Sequence, residues 1–231
     1  MLKRLRLKAR RRLRPLARNI KDLTMGKNIG NYISEDTTIV VSSYCIKNND
    51  ELERPAVSPG MDIVMVGSIG VGATLALASK YEKVLREKFS SSFVDDVFAL
   101  EKVADTDRYL EMIQDAALVY KVGSEGTFAG LYETSKFMNK GIEVKIPDIP
   151  VWQEVVEVAE VFDVNPYKAD GTGALIIVCN SGADMVKCFT DEGILASVIG
   201  KVTDNNDKIA RNGDEVRYLE PTRVEELANL L

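Results

Sequence analysis

Apolar residues recur along the chain with two different periods, and the switches between them mark out the elements. Unbroken or alternating runs of aliphatic and β-branched residues predict strands at "TTIVVSSYC" (37–45), "DIVMVG" (62–67), "AALVYKV" (116–122), "IEVKI" (142–146), "GALIIVC" (173–179) and "LASVIGKV" (195–202). Helical spacing predicts helices over 70–89, 127–140, 150–162 and 182–193. Residues 93–114 are also helical in period, with a break near Asp105 to Asp107. Gly141 and Gly193 are expected to stop two of these helices. "KIARNGDEVRYL" (208–219) predicts a hairpin turning at Asn212-Gly213 in a type I′ turn, and "TRVEELANLL" (222–231) a closing amphipathic helix capped by Thr222.

Helices interspersed among strands, followed by a hairpin, define an α/β (α+β) fold: a mixed β-sheet covered by helices. The chain shows no internal repeat. "KNNDELERPAVSPG" is a linker by composition, which places the main boundary near Ser58. Three parts result: a basic tail over 1–36, a strand plus linker over 37–57, and a main domain over 58–231.

Charge separates the same parts. The 231 residues carry a net charge of −5, but residues 1–21 contain ten Lys or Arg and no acid, which leaves 20 bases against 35 acids in the rest. Leu2, Leu5, Leu13, Leu16 and Ile20 among those arginines are spaced for a short amphipathic helix interrupted near Pro15. Such a tail reads as a nucleic-acid arm, an anionic-membrane anchor, an organelle presequence or a solvated extension. No apolar run approaches the roughly 20 residues that span a bilayer.

Composition also restricts the chemistry. Without any histidine, the commonest general base and the commonest transition-metal ligand are both missing. Cys45, Cys179 and Cys188 form no C-x-x-C pair, which fits a reducing, cytoplasmic setting better than a disulfide framework. Cys179 lies in an apolar strand and reads as core. Asp95 and Asp96 read as a solvated helix face, Asp204, Asp207 and Asp214 as turn chemistry, and Trp152 as a packing anchor.

Two segments have the order strand, small-residue turn, helix: "MVGSIGVGATLAL" with Gly67, Gly70 and Gly72, and "YKVGSEGTFAG" with Gly123, Gly126 and Gly130. Glycine allows positive φ and close approach, and the helix N-terminus beyond presents unpaired N–H groups to an anion. Neither turn fits the Walker or dinucleotide fingerprint. By spacing alone each reads first as a tight strand-to-helix connection. As anion sites, the contacts would come from Gly67 and Gly70 in the first turn, and from Lys121, Gly123, Ser124, Gly126 and Thr127 in the second. No catalytic residue and no metal ligand set is evident in the sequence.

The segments "PGMDIVMVGSIGVGATLALA", "GSEGTFAGLYE", "GIEVKIPDIPVWQEVVEVAEVFDVNPYKADGTGALIIV", "EGILASVIGKVT" and "NGDEVRYLEP", in this order, resemble the C-terminal half of the AIR synthase-like (PurM-like) superfamily. They are most similar to its HypE-like, hydrogenase-maturation-related members. The resemblance implies ATP and magnesium as cofactors, phosphoryl transfer as the chemistry, a small phosphorylated ligand, and a homodimer or complementing partner chain. It also implies that an N-terminal domain supplies most ATP and magnesium contacts. Here only "TTIVVSSYC" resembles a remnant of that domain, and residues 1–36 hold no counterpart of its acidic metal segment.

Other departures stand inside the resemblance. Tyr120 and Lys121 replace a His-Asp pair, Thr127 replaces a second Gly, and Met61 replaces an Asp after Gly60. The sequence ends in "LANLL" where HypE-type proteins carry a terminal cysteine, which argues against hydrogenase nitrile chemistry. Three functions are therefore expected to compete. The first is an ATP- or phosphometabolite-binding domain incomplete for catalysis alone, and the second a non-catalytic regulatory module of the same fold. The third is a basic-tail binder of nucleic acid or anionic membrane, which the acidic body opposes.

Overall fold

The computed structural model describes residues 56–221. The expected tail helix, the strand at 37–45 and the helix at 222–231 lie outside them. Strand β1 (Asp62–Val66) leads into helix α1 (Val71–Lys88), then α2 (Ser91–Ala99) and two short helices, α3 (Glu101–Ala104) and α4 (Asp107–Leu110). There follow β2 (Ala116–Lys121), α5 (Thr127–Met138), β3 (Gly141–Lys145), α6 (Gln153–Val161), β4 (Leu175–Cys179), α7 (Gly182–Thr190), β5 (Ala196–Thr203) and the hairpin β6 (Lys208–Asn212) and β7 (Glu215–Tyr218).

The strands form one sheet in the order β2-β4-β1-β5-β3-β6-β7. All neighbours are antiparallel except β3 and β6, which run parallel, so the sheet is mixed. Burial explains its centre. Ile63, Val64, Met65 and Val66 of β1 and Leu175 to Val178 of β4 are fully inaccessible to solvent. Strands covered on both faces need no polar alternation, and they read as continuous apolar runs. Each such side chain stabilises the fold by about 1.5–3 kcal/mol relative to exposure.

Alternate residues feed two cores. Ile63, Met65, Ile176 and Val178 face α5 through Leu131 and Met138. Val64, Val66, Leu175 and Ile177 face α4 and α7 through Tyr109, Met185 and Phe189. A third cluster joins α1, α2 and α6 through Leu77, Leu85, Val94, Val97 and Val158.

Local chemistry departs from expectation at three places. The helix over 127–140 ends at Asn139, which takes the left-handed conformation at φ 54°, and Gly141 instead begins β3. A Cβ there would collide with Thr203 and Asn205, so glycine serves strand packing and not the cap. The hairpin loop is Gly213-Asp214, because Asn212 pairs with Glu215. Only Gly213 of those two has positive φ, whereas a type I′ turn requires it at both central residues. The stretch 93–114 breaks twice, at Leu100 as well as at Asp105-Thr106.

Candidate functional site

Strands β1 and β2 both run antiparallel to β4, which lies between them, so their C-terminal ends emerge at the same end of the sheet. The two glycine turns follow those ends. The connection from α6 into β4, residues 162–174, arrives at that same end and contacts both. Topology thus gathers at one edge what the sequence keeps more than fifty residues apart.

In the first turn, Gly67 (φ 83°) and Gly70 (φ 68°) are left-handed. A Cβ on Gly67 would strike the Gly173 carbonyl, and one on Gly70 would stand 2.9 Å from a Val155 methyl. The polar groups between them are satisfied within the chain. Gly67 N–H donates to the Leu195 carbonyl at 2.7 Å, and Ile69 N–H to that of Pro150 at 3.2 Å. The buried Ser68 hydroxyl accepts the Trp152 N–H at 3.0 Å, tying the turn to the start of α6. In α1, Ala73 N–H donates to the Asp170 carbonyl at 3.1 Å, and the Asp170 carboxyl carbon would lie 2.7 Å from a Cβ on Gly72. Thr172 N–H and hydroxyl both donate to Asp170 Oδ1, at 2.9 and 2.7 Å. A carboxylate of the chain itself therefore stands at the positive end of α1.

The second turn is arranged alike. Gly126 is left-handed at φ 81°, and a Cβ there would lie 2.5 Å from the Lys168 carbonyl oxygen. Gly123 carbonyl accepts Gly171 N–H at 3.0 Å, and Phe128 N–H donates to the Tyr167 carbonyl at 3.0 Å. Gly123 N–H and the Tyr120 hydroxyl both donate to Glu125 Oε1. Burial first, and then the hydrogen bond to Glu125, push the Tyr120 hydroxyl up to about 12. Ser124 is exposed at the tip of the turn.

Two of the expected contacts depart from this pattern. Lys121 reaches away from the turn and forms an exposed ion pair with Asp107 at 2.7 Å. Thr127, the first residue of α5, is wholly buried, and its hydroxyl, like that of the buried Thr106, finds no hydrogen-bond partner among the described residues. A buried orphan hydroxyl is uncommon, because leaving it unpaired costs about 1–3 kcal/mol.

Shallow cavities flank the two turns. One of about 290 Å³ opens beside Gly67, where Arg108 lies over the Tyr109 ring at 4.7 Å and Trp152 forms a wall. Another of about 710 Å³ lies beside the first turn of α5, with the stacked rings of Phe128 and Tyr167 and the Arg217 side chain on its border. Among the described residues no three His, Cys, Asp or Glu side chains gather closely enough to hold a metal ion. No helix among them is long and apolar enough to cross a membrane.

Sequence spacing located both glycine turns but missed Glu125, Asp170 and the 162–174 connection that fills them. A signal was present for two of these: Glu125 stands within the glycine turn, and "DGTG" over 170–173 is an Asx-turn pattern. The readings of Cys179 as core and Trp152 as an anchor agree with the geometry. Cys179 is buried, which together with the Asp62 charge raises its thiol, and Trp152 packs beside Val71 and Leu100 at the head of α6.

Residues 58–211 match the family described as AIR synthase related protein, C-terminal domain. The chain belongs to the AIR synthase related family. Its fold is shared with HypE proteins. The crystal structure of E. coli HypE, a hydrogenase maturation protein, superposes with a TM-score of 0.59 at 18% identity, over 80% of this chain and 57% of that one. HypE in complex with ATP gives 0.53 at 17%, over 78% and 56%. Thiamine-monophosphate kinase from Stenotrophomonas maltophilia K279a gives 0.50 at 15%, over 71% and 53%. The AIR synthase related chain thus spans little more than half the length of each. Among curated proteins, no sequence matches it.

Proposed function

We propose that this AIR synthase related chain provides the closing half of an ATP- or phosphometabolite-binding site and does not turn over substrate by itself. In this reading, residues 58–231 are the C-terminal domain, and the complementary half comes from a second copy, another chain or further sequence. The carrying observation is Thr127. Its buried, unpartnered hydroxyl stands at the N-terminus of α5, directly after the left-handed Gly126, where a phosphate oxygen would restore the missing hydrogen bond.

The residues fit the two implied cofactors unequally. Backbone N–H groups around Gly123, Gly126 and Thr127 suit phosphate, provided that Glu125 and the 162–174 connection yield to it and that the Gly126 N–H leaves the Gly123 carbonyl, which accepts it at 3.1 Å. Gly67 and Gly70 would border the same edge. The described residues bring no carboxylate set together for magnesium, so its ligands fall to the complementary half. That HypE has been crystallised with ATP supports the nucleotide as ligand class.

The test is titration of the whole chain with ATP, with and without magnesium, followed by backbone amide NMR and phosphate release. The expected result is movement of the Gly123, Gly126 and Thr127 amides, no hydrolysis, and an affinity loss of about tenfold in Thr127→Val. Equal binding by Thr127→Val would overturn the site. Turnover by the chain alone would overturn the division of labour.

A further inference from the structure

A cavity of about 720 Å³, separate from both glycine turns, lies between α7, the segment that follows α4, and the ends of β1, β2 and β4. Seven sulfur-bearing residues occur among the described residues, and five of them line this one cavity: Met61, Met112, Cys179, Met185 and Cys188. Met65 and Met138 are in the opposite core.

Contacts link four of the five residues to one another. Cys179 and Met185 belong to one buried cluster, and Met112 packs against it. Cys188 lies three residues beyond Met185 on the same side of α7, and its Sγ lies 3.7 Å from the Met112 carbonyl oxygen. Pairing of Ala116 with Cys179 draws the Met112 segment alongside β4. Among the described residues the charges around the cavity share one sign: Asp115 and Asp184 border it, and no Lys or Arg does. Cys188 is exposed at its mouth, while Cys179 is 2% exposed.

We propose that this cavity is a binding site for a soft monovalent cation of the Cu(I) class, with Cys179, Cys188, Met112 and Met185 as the sulfur ligands. Soft sulfur ligands exclude magnesium, and it is the two thioethers, which are not zinc ligands, that favour such an ion over zinc; the absence of histidine removes the imidazole ligands that suit divalent copper and zinc. Each thiol that ligates releases its proton to solvent, and no electron changes hands. Asp115 and Asp184 lower the cost of bringing a positive ion to the mouth.

The test uses the full chain with Cys45→Ser, so that the third thiol does not contribute, under anaerobic conditions. Cu(I) is delivered from a chromogenic chelator, and the methionine methyl groups are observed by NMR. Withdrawal of one equivalent from the chelator is expected, with the Met112 and Met185 methyls shifting and those of Met65 and Met138 holding still. The double variant Met112→Leu, Met185→Leu, checked for retained folding by circular dichroism, is expected to bind roughly tenfold more weakly. The site is overturned if the chelator keeps the metal, if the double variant binds as tightly as its parent, or if zinc competes on equal terms.

Discussion

Glu125 turns its carboxylate back onto its own loop, where Oε1 accepts the Gly123 N–H at 3.1 Å. The same oxygen accepts the Tyr120 hydroxyl at 3.0 Å. One acid thus satisfies two donors at the place where the helix end favours an anion, and an arriving phosphate has to displace it. Four occupants, Glu125, Asp170 and the Tyr167 and Lys168 carbonyls, hold both turns closed from within.

Removing that acid is expected to open the second turn. Glu125→Ala should bind inorganic phosphate or ATP about tenfold more tightly than the parent, read by calorimetry. It should also lower the Tyr120 titration from about 12 toward 10, seen as tyrosinate absorbance. Because the folded state holds this proton more tightly than the unfolded state, its stabilising contribution is complete below pH 10 and is lost as pH rises through 12. Tyr120→Phe removes that part of the alkaline loss.

Gly126 and Gly60 separate backbone strain from crowding. Both have positive φ, at 81° and 90°, but a Cβ on Gly60 meets nothing within 4 Å among the described residues, whereas one on Gly126 meets the Lys168 carbonyl. Gly60→Ala is expected to cost about 1 kcal/mol and Gly126→Ala about 2–3 kcal/mol or more, measured by urea unfolding. Equal costs would mean that the 162–174 connection moves aside freely.

Asp62 joins three elements. Its carboxylate accepts Gly182 N–H at the start of α7 at 2.9 Å and Lys201 Nζ from β5 at 2.6 Å. Burial works to raise this carboxyl, but the two hydrogen bonds and the Lys201 charge outweigh it and hold it below its ordinary 3.8. A depressed folded value gives stability that is present above the unfolded value and is lost as pH falls through the folded one. Asp62→Ala should therefore cost about 1–3 kcal/mol at pH 7, and the difference from the parent should shrink below about pH 4.

Lys121 and Asp107 form an exposed pair, so Asp107→Ala should change stability by less than about 1 kcal/mol. The same change releases the ammonium at the entrance of the second turn. Stronger phosphate binding by Asp107→Ala, reversed in the double variant with Lys121→Ala, is the expected outcome of calorimetric titration. An unchanged affinity would leave Lys121 with no part in the site.

Much of the fold was legible because its signals are local. The runs "DIVMV" and "LIIVC" needed no knowledge of their partners, since double burial alone makes a strand uniformly apolar. The mixed sheet and the two glycine turns followed from the same kind of reading. The end of α5 and the hairpin loop were misplaced because Gly141 and Asn212 answer to distant or cross-strand neighbours. The candidate site was half legible: glycine spacing identified the turns, while Lys121 and the Glu125 carboxylate took partners that spacing does not encode.

By itself the sequence determined roughly where the strands and helices of the described residues lie, which turns need glycine, and that this chain offers no imidazole, because backbone sterics, periodic burial and side-chain identity act over a few residues. Only the tertiary structure decided that the 162–174 connection fills both glycine turns, that Lys121 is paired with Asp107, and that five sulfurs share one cavity. Those outcomes depend on which strand ends the sheet order brings side by side, and sheet order is set by packing between segments far apart in the chain.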